Sequence, residues 1–152
     1  GSYRMLVDWQ YADGVSEREF GVILRFVDEN GDGLLGDEDY FLALGMNVFT
    51  NDMNIYLHEP GSGTPLQLLE TVDGGYTPPP AMNTVEIISS SGGREIDVLV
   101  DGGRIFRLRG YSSEPGETFI EPWADSGSVG LVLLQRGVQV RYDNFSFRVT
   151  SD

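Results

Sequence analysis

A chain of 152 residues, 40% apolar and 11% aromatic, is long enough to bury one sizeable core and too apolar to remain disordered. Its formal net charge of −14, with all ten basic residues arginine, opposes binding to nucleic-acid phosphates or to anionic membranes. Cysteine is absent, which excludes disulfides and thiolate metal sites, and the single histidine excludes a histidine-built zinc centre. No apolar run reaches membrane-spanning length, so direct membrane insertion is not expected.

Strand-like segments separated by glycine-rich turns recur about every ten residues, which predicts an all-β protein. Residues 3–11 alternate, with Tyr3, Met5, Val7, Trp9 and Tyr11 on one face and Arg4, Leu6, Asp8 and Gln10 on the other. Two further strands, 20–27 (FGVILRFV) and 40–44 (YFLAL), flank an acidic loop, DENGDGLLGDED, at 28–39. That loop fits the calcium pattern D-x-[DN]-x-[DN]-G. Asp28, Asn30 and Asp32 stand at positions 1, 3 and 5, Gly33 at the turn, and Leu34 at the position that offers a backbone carbonyl. Leu35 takes the apolar eighth position, and Asp39 closes the frame. Calcium requires about six to eight hard oxygens, and alternate residues of a tight loop aim several inward. The expectation is a Ca2+ loop at the tip of a β-hairpin rather than between helices. The competing reading is a plain acidic turn, because Asp, Asn and Gly are good turn formers.

Strands follow at 52–59 and 66–72, then a proline-stiffened stretch, GGYTPPP, at 74–80. Residues 83–89 and 94–101 predict a hairpin, and a tight turn at Asp101-Gly102-Gly103 leads into RIFRLRG. An irregular stretch, 112–127, carries Phe119, Ile120 and Trp123 among Glu114, Glu117, Glu121 and Asp125. SVGLVLLQ, a turn at Arg136-Gly137 and the long strand VQVRYDNFSFRVT complete the chain. So many strands require two packed sheets, since one open sheet would leave a face uncovered.

Sugar recognition calls for aromatic faces to stack on pyranose rings and for planar polar groups to meet hydroxyls. Trp123 and Tyr76 lie in the two long irregular stretches, where binding residues collect. Arg25, Tyr40, Tyr56 and His58 are candidates to share one sheet face by their strand positions. The competing expectation for each aromatic is core packing, and Trp9 is assigned to the core. The polar pair Asp143-Asn144 within the last strand is read as a hydrogen-bonding device, with metal ligation as the alternative.

From Phe20 onward the order FGVILRF, DYFLAL, NIYLHE, NTVEII, EIDVLVDGGRIFRL, SVGLVLL and VRYDNFSFRV resembles a concanavalin A-like lectin/glucanase sandwich. The closest likeness is to laminin-G-like modules of bacterial or archaeal surface proteins. The resemblance implies a two-sheet antiparallel jelly roll spanning 1–152 as one domain, with one or two family strands expected before Tyr3. Gly1-Ser2 reads as a cloning remnant. It also implies an open edge along Val138–Val149, to be filled by a partner segment or another copy; the alternative is an edge blunted by the charges of Arg141 and Arg148, which leaves a monomer. The related glucanases pair two catalytic glutamates on a Glu-x-Asp strand. Here Glu95-Ile96-Asp97 is followed by Leu99 and Val100 where the second glutamate belongs. The expected function is therefore a non-catalytic, extracellular or cell-surface, calcium-binding recognition module, with a glycan as partner. The alternative is an adhesive or assembly domain binding a surface protein or itself, and a glycoside hydrolase is third.

Overall fold

The computed structural model describes residues 1–14, 19–48, 50–63, 66–77, 81–111, 114–134 and 138–151, without the side chains of 11–14 and 138. The expected turn at Arg136-Gly137 and the prolines 78–80 lie outside the described residues. The strands are β1 (Tyr3–Gly14), β2 (Glu19–Val27), β3 (Tyr40–Asn47), β4 (Met53–His58), β5 (Gln67–Val72), β6 (Asn83–Ser90), β7 (Glu95–Val100), β8 (Gly103–Arg109), β9 (Thr118–Phe119), β10 (Ser128–Leu133) and β11 (Val138–Val149).

They form two sheets. One has the order β11-β1-β6-β7-β8-β9 and the other β10-β2-β3-β4-β5. Every pairing is antiparallel except the short β8–β9 ladder. The architecture is the two-sheet sandwich expected from the strand count.

The core forms where period-two alternation on facing strands turns apolar side chains inward. Met5, Val7, Trp9, Ile87, Ile96, Val98 and Leu108 come from the six-stranded sheet and Phe20, Val22, Leu24, Leu42, Leu44 and Ile55 from the other; all are at most 1% exposed. Trp9 stands edge-on to Phe20 and Tyr76, at centroid distances of 5.0 and 4.7 Å. The central strand β3 is buried on both faces, and Gly21 lets β2 approach it: a Cβ there would lie 1.9 Å from Leu44 O.

One register change alters the functional reading. Strict alternation from Phe20, Val22 and Leu24 places Arg25 on the outer face. Instead, β2 shifts register between Ile23 and Arg25, pairing Arg25 with Leu42 and Val27 with Tyr40. Directly paired residues share a face, so Arg25 turns into the space between the sheets and is 1% exposed. The expected common face of Arg25, Tyr40, Tyr56 and His58 is thus corrected. Arg25 and Tyr40 face inward, whereas Tyr56 and His58, paired with Ala43 and Phe41, lie on the outer face.

Candidate functional site

The hairpin β2–β3 closes at Val27↔Tyr40 and leaves residues 28–39 as its tip. Gly31 and Gly33 adopt φ of 75° and 74°, conformations that favour glycine and fold the tip back on itself. Asp28 Oδ1 and Oδ2 accept from the N–H groups of Gly31 (2.8 Å) and Gly33 (2.7 Å), and Asp32 Oδ1 accepts from Leu34 N–H (2.8 Å). Asp39 is fully buried; its carboxylate accepts from Glu29 N–H (2.9 Å) and Gly36 N–H (2.7 Å). Ligand atoms of Asp28, Asp32 and Asp39 all lie within 4.8 Å of one another. None of the three is in an ion pair among the described residues. A carboxylate has about four lone-pair positions, so these backbone bonds leave capacity for a cation. The hard-oxygen donor set suits calcium better than a softer metal. Asn30 is turned toward Asp32, its Nδ2 donating to Asp32 Oδ2 (3.1 Å), and the Leu34 side chain is exposed.

The loop is anchored on both sides. His58 is buried, with Nδ1 2.9 Å from Asp39 O, so a proton on that nitrogen donates to the loop. Gly61 and Gly63 donate to Asp37 O and Oδ1 at 2.6 and 2.7 Å. Next to Asp39, Tyr40 reaches through its hydroxyl to Pro122 O (3.3 Å) and so ties the hairpin to the irregular segment 114–127.

That segment builds the second feature. β9 pins it beside β8, Ile120 N–H donates to Arg109 O (2.9 Å), and the Ile120 side chain enters the core. Trp123 Nε1 donates to Gly93 O (2.9 Å), an acceptor shared with Arg25 Nη2 (3.0 Å). Arg25 Nη2 also donates to Ser89 Oγ (2.9 Å), and its Cζ lies 5.9 Å from the Trp123 ring and 5.5 Å from that of Tyr3. Burial lowers the Arg25 pKa, opposed by the neighbouring Tyr3, Tyr40 and Asp125. Burial likewise pushes the Tyr40 hydroxyl up to about 12. Between the two anchors opens a cleft of about 390 Å³, lined by Tyr111, Phe119, Ile120, Glu121, Pro122 and Trp123. Tyr111 and Phe119 expose 62% and 43% of their surface. Arg94 lies over the Tyr111 ring (5.6 Å), and the Tyr111 hydroxyl donates to Asp125, which raises its pKa. Exposed rings beside carboxylates can stack on an apolar sugar face and accept from its hydroxyls.

The expected ligand residues therefore separate. Trp123 lines the cleft, and Arg25 and Tyr40 lie buried behind it as support. Tyr76 is corrected to a core residue: it is 5% exposed, packs on Trp9 and donates to Asn47 O (2.5 Å). Tyr56 donates to Glu19 Oε1 (2.7 Å), which also takes Asn54 Nδ2 (3.2 Å). Tyr56 and His58 belong to the outer face of the five-stranded sheet, where a concavity of about 300 Å³ is lined by residues that include Ile23, Phe26, Phe41 and, from the β10 edge, Val132, Leu133 and Leu134. Neither Tyr111 nor Phe119 is a ligand candidate by sequence, although Phe119 stands in the irregular stretch 112–127; the available signal is aromatics within or beside that stretch.

Glu95 and Asp97 face outward while Ile96, Val98 and Val100 are buried. Arg107 clamps Asp97 through Nε and Nη2, both at 2.7 Å, and Arg109 Nη2 donates to Glu95 Oε2 at 2.6 Å. Asn144 Nδ2 donates to Asp8 Oδ2 (2.7 Å), the hydrogen-bonding role expected of it.

Neither a protein-family model nor a curated protein sequence matches this chain. Solved structures do. A carbohydrate-binding module, CBM66, from Bacillus subtilis superposes with a TM-score of 0.60 at 9% identity, over 96% of this chain and 74% of that one. The CBM40 module of a Ruminococcus gnavus IT-sialidase, bound to α2,3-sialyllactose, gives 0.55 at 11% identity, over 99% and 78%. Sheep galectin-11 in complex with glycerol gives 0.53 at 12%, over 99% and 86%. At such identities the likeness establishes the fold.

Proposed function

We propose that this chain is a non-catalytic carbohydrate-binding module of an extracellular or cell-surface protein, with Ca2+ held by its hairpin tip. The observation that carries the reading is the cleft of Tyr111, Phe119 and Trp123 edged by Glu121 and Asp125, on a fold shared with carbohydrate-binding modules and a galectin. An acidic rim on a chain of net charge −14 repels anionic sugars and favours neutral ones, whose hydroxyls donate to the carboxylates. The rim therefore favours neutral glycans, in contrast to the sialylated ligand of the Ruminococcus module.

Calcium would be held by Asp28, Asp32 and Asp39, with Asn30 and the Leu34 carbonyl as further oxygens. It would offset three converging negative charges. The non-catalytic reading draws support from the engagement of Glu95 and Asp97 with arginines and from Leu99 and Val100 standing where the glucanase strand would carry its second carboxylate.

A glycan array followed by calorimetry tests the reading. Binding to neutral oligosaccharides is expected, and Tyr111→Ala, which removes a mostly exposed ring, should weaken it at least about tenfold. Exclusive binding of sialylated or sulfated glycans, or equal binding by Tyr111→Ala, would reject the assigned site. Turnover of a polysaccharide that vanishes in Glu95→Gln would instead establish a hydrolase.

A further inference from the structure

On one side of the sandwich the core is uncovered. β11 pairs only with β1, and β10 only with β2, among the described residues. Register assigns Leu131 and Leu133 to the inner face, opposite Val22 and Phe20, and Phe147 and Val149 likewise, opposite Met5 and Tyr3. Yet these four side chains are 37–78% exposed, and Phe145 beside them is 49% exposed. The backbone of β11 is open on the same side. Thr150 N–H bonds Ser2 O, so by period two the main-chain groups of Ser146 and Arg148 face β1. Those of Phe147 and Val149 then face outward, ready for another strand.

The charges of β11 indicate which strand. On the outer face Arg148 stands opposite Arg4 and Asp143 opposite Asp8, two like-charged cross-strand pairs. Arg4 is compensated by Glu86, and Asp8 accepts from Thr84 and Asn144, which lowers its pKa. Arg148 and Asp143 have no opposite charge in an ion pair among the described residues. The two carry opposite signs on one strand and are symmetrically placed. From Ser146, Arg148 lies two residues ahead and Asp143 three behind. The bulge at Asn144 (φ 52°) absorbs one of those three, because Leu6–Asp8 is matched by Ser146–Asp143.

We propose that a second copy of this chain docks on β11, antiparallel, about a two-fold axis through Ser146. This register sets Arg148 against the partner's Asp143 twice, on the outer face. On the inner face it brings Phe147 next to the partner's Phe145, covering the open apolar edge. The two six-stranded sheets become one continuous sheet, and the like-charged pairs within each copy acquire opposite-charged neighbours. A closed two-fold contact consumes both edges and stops at a dimer.

The chain lacks cysteine, which permits a direct test by cross-linking. Ser146 would form a non-hydrogen-bonded pair with itself, at a Cα separation of about 4.5 Å, within disulfide range. Under oxidation Ser146→Cys should form a covalent dimer, while Gln67→Cys, on the exposed strand β5, should not. By sedimentation, Asp143→Arg should weaken the unmodified dimer at least about tenfold, and the swap Asp143→Arg with Arg148→Asp should restore it. A monomer at concentrations up to about 1 mM, a dimer indifferent to Asp143→Arg, or no selective cross-linking at Ser146→Cys would each overturn the proposal.

Discussion

Gly110 shows how much the cleft depends on one absent side chain. A Cβ at this position would lie 2.2 Å from Trp123 Cγ and 2.6 Å from its Cβ, the rigid root of the side chain rather than a flexible end. Gly110→Ala is therefore expected to displace Trp123, to cost about 1–3 kcal/mol and to reduce binding in the cleft. Unfolding curves and titration with the array-selected sugar check both effects. The buried phenols make a different forecast. Tyr3 and Tyr40 are each pushed up to about 12 by burial, and Tyr142 is raised for the same reason. A raised phenol keeps its proton in the folded state, so its contribution is intact below the ordinary value of about 10 and is lost as pH rises through about 12. Stability should fall across that alkaline interval, with tyrosinate absorbance from these rings appearing together with unfolding. Early, complete ionisation of every tyrosine in the folded protein would contradict the burial.

Among the elements, the β2–β3 hairpin carries two predictions. If the tip holds calcium with the affinity of about 10⁻⁴–10⁻³ M typical of extracellular sites, millimolar calcium should raise the melting temperature modestly, by about 0.4–1.4 kcal/mol of stabilisation. Asp28→Ala or Asp32→Ala should abolish the gain; an unchanged melting temperature with and without chelator would count against calcium. In the paired strands, Gly21→Ala should destabilise by more than about 3 kcal/mol, because its Cβ meets the Leu44 carbonyl, part of the backbone. The hairpin also shows what the sequence made legible. Alternation placed Tyr3, Met5, Val7 and Trp9 inward, and the acidic spacing marked a loop whose carboxylates converge. It failed at Arg25, because a bulge reverses every face beyond it and leaves no signature in residue type. It failed again at Tyr76, an aromatic in an irregular stretch that returns to the core beside Trp9. Tyr111 escaped notice because its partners, Phe119 and Trp123, are brought to it by tertiary anchors at Ile120 and Gly93.

For the molecule as a whole, a net charge of −14 is a standing repulsion distributed over a sandwich whose interior offers one buried cation, Arg25, among the described residues. Raising ionic strength from about 10 mM to about 150 mM shortens the Debye length from about 30 to about 8 Å, and the melting temperature should rise accordingly. A flat response would mean that the carboxylates are locally compensated. Mechanics follows from the pairing of β1 with β11, in which Tyr3 lies opposite Val149. The two ends of the described fold therefore emerge side by side on neighbouring antiparallel strands, with their ladder bonds perpendicular to the strands. Tension applied between them loads those bonds one after another, as in opening a zipper, instead of shearing them all at once. A protein pulled at these points should yield at low force and extend from the β1–β11 seam first, whereas force applied along β3 should meet a strand held on both sides.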